Sequence, residues 1–214
     1  MRNPYSRIAA FVDWNSQLLL NGRPSPAVPP LSLAQITFKR VTKRITSCLA
    51  KIEPNRQFHV HLRLYHGWHK GYEPSPNCKA VKQVIAETDF ATLSSKPNVI
   101  FSADVGFGDC LLSALPERIH SKLAIHLPNT LRDRGGQGSE EKMVDTALAS
   151  DVIVTAYQDP ENWILVAAED DDIVPPLFVA EAIIKRMESR VLLLRSRKTA
   201  KNFLKLDDIL VGEV

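Results

Sequence analysis

No apolar run in these 214 residues approaches the roughly 20 needed to cross a bilayer, so no membrane span is expected. The early RIAAFV is cut off by Asp13 before it reaches the length of a secretory signal core, and the expected location is the cytoplasm. Cysteine is scarce. Cys48, Cys78 and Cys110 are odd in number and form no CxxC pair, which excludes a disulfide framework and a zinc knuckle and leaves three reduced thiols. Nucleotide-binding glycine signatures are missing as well. VGFGD (Val105 to Asp109) opens like a dinucleotide fingerprint, but Leu111 stands at the third glycine position. The glycines after Arg134 lead to Ser139 and Glu140 instead of the Lys and hydroxyl of a P-loop. His59 with His61, and His66 with His69, have zinc-like spacing but no nearby cysteine or acid to complete four ligands. They are read as solvated or hydrogen-bonded imidazoles.

What is present describes an ordinary folded chain. Hydrophobic residues at 44% and charged residues at 24% argue against disorder, and the length suits one domain over 1–214. Its core is expected over about 7–195, followed by a basic extension over 196–214. The net charge of +3 is small but unevenly spread. Between Lys39 and Lys70 eight Lys or Arg residues face one acid, Glu53, and Arg195 to Lys205 carries five with none. Basic patches beside an acidic cluster suit a protein that holds a polyanion near metal-binding carboxylates.

The pattern alternates strand and helix. Strands are predicted at Arg7–Val12, Phe58–Tyr65, Val99–Ser102, Leu123–Leu127, Trp163–Ala168 and Val191–Leu194, from short apolar or alternating runs. Helices are predicted from about Ser32 to Ile52, Cys78 to Thr88, Glu140 to Tyr157, and over LFVAEAIIKRM after Pro176. Gly22 to Pro30 and the Gly-rich stretch Arg132 to Ser139 read as loops, and LKLDDILV near the end as a short packed segment. The fold class is α/β: a three-layer α/β/α domain around a mainly parallel central sheet. Lys39, Arg40, Lys43 and Arg44 lie largely off the apolar face of the first long helix. With Arg132, Arg134, Arg197 and Lys198 they are the candidate phosphate contacts.

Acids recur where such a fold places its ligands. Trp163–Ala168 looks buried on both faces and is followed at once by Glu169, Asp170, Asp171 and Asp172, then by Pro175 and Pro176 at a helix start. Ligands of open α/β sheets bind at the carboxyl ends of the strands. The first strand ends on Asp13, with Asn15 two residues on, a pair that fits turn chemistry equally well. Asp145, flanked by Val144, Ala147 and Leu148, is too hemmed in by apolar neighbours to be merely solvated; a helix ion pair with Lys142 is the other reading.

Three pieces, FVDWN, KMVDTALASD and AAEDDDIVPPL, together resemble the NYN family of PIN-like ribonucleases. That family's pattern is a strand ending FID with a nearby Asn, a helix opening K-x-V-D, and a strand ending S-G-D-S-D-F-x-P-L. RLYHGWHKG is similar to its RLYGGWY segment. The resemblance runs from Arg7 to about Leu194 and carries over Asp13, Asn15, Lys142, Asp145, Asp170 and Asp172, with Pro175 at the proline position. It departs at Asn15, which stands one residue nearer its Asp, at Ala168 and Glu169 in place of Ser-Gly, and at Ile173 in place of Phe. Carboxylates gathered at neutral pH need a compensating cation, and hard oxygen donors favour Mg²⁺ or Mn²⁺. The implied activity is metal-dependent hydrolysis of RNA, with an endonuclease expected. Asp13, Asp145, Asp170 and Asp172 would hold one or two ions, Asn15 would orient substrate or water, and Lys142 would contact phosphate or position Asp145. The alternatives are a non-catalytic RNA-binding or scaffold protein on this fold, and a haloacid-dehalogenase-type phosphatase, which wants an Asp where Asn15 stands. Beyond RNA the sequence names no partner, and it leaves homo-oligomerisation open.

Overall fold

The computed structural model describes residues 5–22, 28–112, 127–135, 139–185, 187–196 and, as backbone, 210–211. In chain order the elements are β1 (Tyr5–Asp13), α1 (Trp14–Asn21), α2 (Pro30–Ile52), β2 (Gln57–Tyr65), β3 (His69–Lys70), β4 (Glu73–Pro74), α3 (Pro76–Glu87), β5 (Val99–Phe101) and β6 (Gly106–Phe107). They continue with β7 (Leu131–Asp133), β8 (Ser139–Glu141), α4 (Val144–Gln158), β9 (Trp163–Ala167), α5 (Val174–Ile184), β10 (Val191–Leu194) and β11 (Leu210–Val211). No helix among the described residues is long and apolar enough to cross a membrane.

The central sheet runs β11-β10-β9-β1-β2-β5, with β6 also on β2, and every pairing in it is parallel. Strand alternation sorts the side chains into two cores. Ile8, Ala10 and Val12 of β1, Leu165 and Ala167 of β9, and Leu192 and Leu194 of β10 pack with α1, α2 and α3. Phe11, Ile164, Val166, Val191 and Leu193 point the other way and pack with α4 and α5. Both faces are thus covered, as a parallel sheet requires, and the expected three-layer α/β/α fold is what the chain adopts. The chain builds outward from β1 to β2 and β5, then returns to the other side of β1 to lay down β9 and β10. The strand order therefore reverses between β1 and β9, and the carboxyl ends of such neighbouring strands are where open α/β sheets bind ligands.

Two expectations change. The helix predicted from Glu140 begins only at Val144, because Ser139–Glu141 pairs antiparallel with Leu131–Asp133. The Lys142 N–H bonds to the Thr130 carbonyl at 2.9 Å and Met143 turns left-handed at φ 65°, which commits the backbone to the hairpin before the helix starts. Lys142 and Asp145 therefore share no helix face. The stretch Arg132 to Ser139, expected as a loop, instead supplies the ends of both hairpin strands, while Leu210–Val211 of the expected packed segment LKLDDILV adds a parallel strand, β11, to β10. The strand expected at Leu123–Leu127 falls outside the described residues except for Leu127, which is in a bend.

VGFGD owes its glycines to packing. β6 lies along β2, and a Cβ on Gly108 would meet the Tyr65 ring at 2.1 Å. That ring cannot give way easily: Tyr65 is buried, and its hydroxyl donates to Asp151 Oδ2 at 2.8 Å. The same oxygen accepts from Arg63 Nε at 3.0 Å, and Oδ1 accepts the Leu112 N–H at 2.8 Å. A fully buried carboxylate is thus compensated by one guanidinium and two further donors.

Candidate active site at the carboxyl edge of the sheet

Asp13 is the last residue of β1 and the N-cap of α1. Its carboxylate accepts the Ser16 N–H at 3.2 Å, and the Ser16 hydroxyl donates to the Asp13 carbonyl at 3.0 Å. The side chain is 8% exposed, and burial pushes its carboxyl up from 3.8 to about 6, against the Ser16 hydrogen bonds and with the added repulsion of Glu141 and Asp145. Val12 pairs with Ala167, so the acidic stretch after β9 begins beside Asp13. Asp145 is exposed in the first turn of α4. Partial burial first, then the negative charges of Asp170, Glu141 and Asp172, raise its carboxyl above the usual range. An acid at a helix N-terminus is favourable on its own, yet here the helix end is outweighed by burial and the neighbouring carboxylates.

The acids divide by partner. Glu169 accepts the Ser196 N–H at 2.8 Å and lies 3.9 Å from Arg44. Asp171 takes Arg195 Nη1 at 2.7 Å, and the same arginine, 1% exposed, also donates to the Asp170 carbonyl. The end of β10 thereby holds the acidic loop against the end of β9. Arg44 reaches inward from α2 to Gln17 Oε1 at 2.8 Å, and Gln17 donates to Ser16 at 3.1 Å, so a polar chain runs from α2 through α1 to Asp13. Asp13, Asp145, Asp170 and Asp172 have no cationic partner among the described residues. Asp170 Oδ1 accepts only the Asp172 N–H, at 3.0 Å. These are the four carboxylates expected to share a cation.

Other expected residues are placed less centrally. Asn15 is half-buried in the first turn of α1. Lys142 pairs with Glu140 at 3.0 Å, and Arg134 is held by the same carboxylate. Lys39, Arg40 and Lys43 are exposed along α2, with Arg40 donating to Asn21, and Arg132 is exposed on β7. Arg197 and Lys198 lie outside the described residues. Sequence reasoning assigned no site role to Glu141 or Gln17, read His66 as a solvated or hydrogen-bonded imidazole and counted Arg195 only as one charge of a basic run. Glu141 was read into the helix that begins only at Val144, and no local signal marked its contact with His66.

The donor chemistry fits a hard divalent ion: all oxygen, without cationic partners among the described residues, with two carboxyls raised by burial and mutual repulsion. Among the described residues no three such groups yet converge as a ready cage. A cavity of about 1050 Å³ lies at the opposite edge of the sheet, lined by Arg7, Arg56, Trp163 and Glu188, and none of the four acids reaches it. The three cysteines are free, and burial pushes the Cys48 thiol up to about 12. No family model matches the chain, and neither a curated protein nor a solved structure matches it.

Proposed function

We propose that this protein is a metal-dependent ribonuclease of the NYN type that hydrolyses RNA phosphodiester bonds in the cytoplasm, acting as an endonuclease with Mg²⁺ or Mn²⁺. One observation carries the reading. At the point where the strand order reverses, Asp13 and Asp145 are both raised by burial and by neighbouring carboxylates, and neither has a cationic partner among the described residues. The acids that merely stabilise the loop, Glu169 and Asp171, already have Arg44 and Arg195 beside them.

A bound divalent ion supplies an activated water and neutralises charge on the phosphodiester and its leaving oxygen. Asp13 would reach such an ion from the end of β1, Asp145 from the start of α4, and Asp170 and Asp172 from the loop after β9. Asn15, two residues beyond Asp13 in the first turn of α1, would orient the scissile phosphate or a water. Lys39, Arg40 and Lys43 line up along α2 and hold the flanking phosphates.

The test is incubation of the purified protein with mixed cellular RNA and Mn²⁺, with end-mapping of the products. Metal-dependent internal cuts that vanish in Asp170→Asn support the reading; cuts that persist in Asp170→Asn and Asp145→Asn alike overturn it. Salt-sensitive RNA binding without cleavage under any metal would favour a non-catalytic RNA-binding protein on the same fold.

A further inference from the structure

The alternation that lays Phe58, Val60 and Leu62 into one core turns His59 and His61 to the opposite face of β2. On that face α4 meets β2 near its carboxyl end, where Asp151 takes Arg63 and the Tyr65 hydroxyl. Nearer the amino end the face is open: His59 is half-buried, His61 is exposed, and Ile100, beside His59 on β5, is 40% exposed. The two imidazoles lie side by side, with ring centres 4.5 Å apart and planes inclined at 57°. Neither makes a hydrogen bond among the described residues. His61 pairs with Ala9, four residues before Asp13 on β1, so about 13 Å of strand separates this pair from the carboxyl edge.

Both ring measurements match chelation. Imidazoles whose nitrogens sit ~2.1 Å from one ion, at an angle between a right angle and a tetrahedral one, have their centres about 4.5–5 Å apart. Each donor lone pair lies in the plane of its ring, so a shared ion must lie in both planes at once. Inclined planes meet along a line, whereas rings stacked flat share none. We infer that His59 and His61 form a two-imidazole site for a divalent transition ion, with Cu²⁺ held most tightly and Ni²⁺ and Zn²⁺ behind it. Among the described residues no third histidine, cysteine or acid joins them into a three-ligand group. Water therefore fills the remaining positions and the ion is exchangeable, unlike a structural zinc closed by four protein ligands. Of the charges around His61, Arg7 opposes a cation and Asp104, in the loop after β5, favours one. The site is independent of the ribonuclease reading.

The experiment is titration of Cu²⁺ into the full chain at pH 7.5, with Mg²⁺ in large excess to occupy the carboxyl edge. Pulsed electron paramagnetic resonance of the bound ion counts its imidazole ligands. One Cu²⁺ carrying two imidazoles is expected. His59→Ala and His61→Ala are each expected to weaken binding roughly 10-fold or more, because the second imidazole acts at high effective concentration, and to leave one imidazole in the spectrum. Both residues lie on the open face, so each variant should melt in EDTA within a few degrees of the unaltered protein. Asp145→Asn is expected to leave Cu²⁺ affinity unchanged. Unaltered affinity, or a spectrum that keeps two imidazoles in both single variants, overturns the site. Weakening by Asp145→Asn equal to that in the histidine variants overturns it too, because the ion would then sit at the carboxyl edge.

Discussion

Asp13→Asn should make the metal-free protein more stable. The Asp13 carboxyl sits at about 6 in the folded chain against an ordinary 3.8, chiefly through burial. A raised carboxyl means the native state binds the proton more tightly than the unfolded chain does. Its contribution is therefore intact below pH 4, is lost as pH climbs from about 4 to 6, and is fully lost at pH 7.5. At about 1.4 kcal/mol per unit, the loss is on the order of 3 kcal/mol. Asparagine caps the helix as well as aspartate, so the Ser16 N–H keeps its acceptor and the charge alone is removed. A chain of this size moves by roughly 2–4 °C per kcal/mol, so Asp13→Asn is expected to melt about 6–12 °C higher at pH 7.5 in EDTA. The gap should close near pH 4, where Asp13 is already neutral. Saturating Mn²⁺ should reverse it, because an ion that binds the native acids stabilises only the protein that has them. Calorimetry at the two pH values, with and without Mn²⁺, reads all three effects. Equal or lower stability of Asp13→Asn at pH 7.5 in EDTA would refute the account of Asp13 as an uncompensated buried charge.

Other outcomes follow from the same structure. Asp151→Ala strands Arg63 and the Tyr65 hydroxyl in the core and should cost about 3–5 kcal/mol in urea denaturation, with Asp151→Asn costing less. Gly108→Ala drives a methyl into the Tyr65 ring and should cost about 1–3 kcal/mol or more, a loss that Tyr65→Leu in the same chain should partly relieve. Replacing Lys39, Arg40 and Lys43 together by alanine should flatten the salt dependence of RNA binding by up to about three phosphate contacts while leaving Mn²⁺ affinity unchanged. Cys48, buried and with its thiol pushed up, should stay unlabelled by thiol reagents until the chain unfolds.

The layers were legible in the sequence because apolar runs such as Trp163–Ala167 and the alternation of Phe58 to Leu64 are set by the two faces of the sheet. The edge acids were legible for a related reason: a buried run that turns acidic at once can only mark a strand's end. The start of α4 was not. Glu140, Glu141 and Lys142 are good helix formers, and the hairpin partner that overrides them, Leu131–Asp133, is paired by tertiary contact. The same error hid Glu141, whose partner His66 lies 75 residues earlier in the chain and was read as a bland imidazole. Arg195 was counted as one charge of a basic tail, although it is buried and ties the loop after β9 to the end of β10. Pairings of that kind follow from strand order, which local pattern does not encode.

The central claim is that Asp13, Asp145, Asp170 and Asp172, without cationic partners among the described residues, act on RNA together through one divalent site. Single-turnover cleavage of a labelled RNA across a Mn²⁺ titration tests it most directly, with Asp145→Asn beside the unaltered chain. The account predicts a rate that saturates with Mn²⁺ and falls by at least about 100-fold in Asp145→Asn at every metal concentration. A rate indifferent to Mn²⁺, or equal in the two proteins, would contradict it.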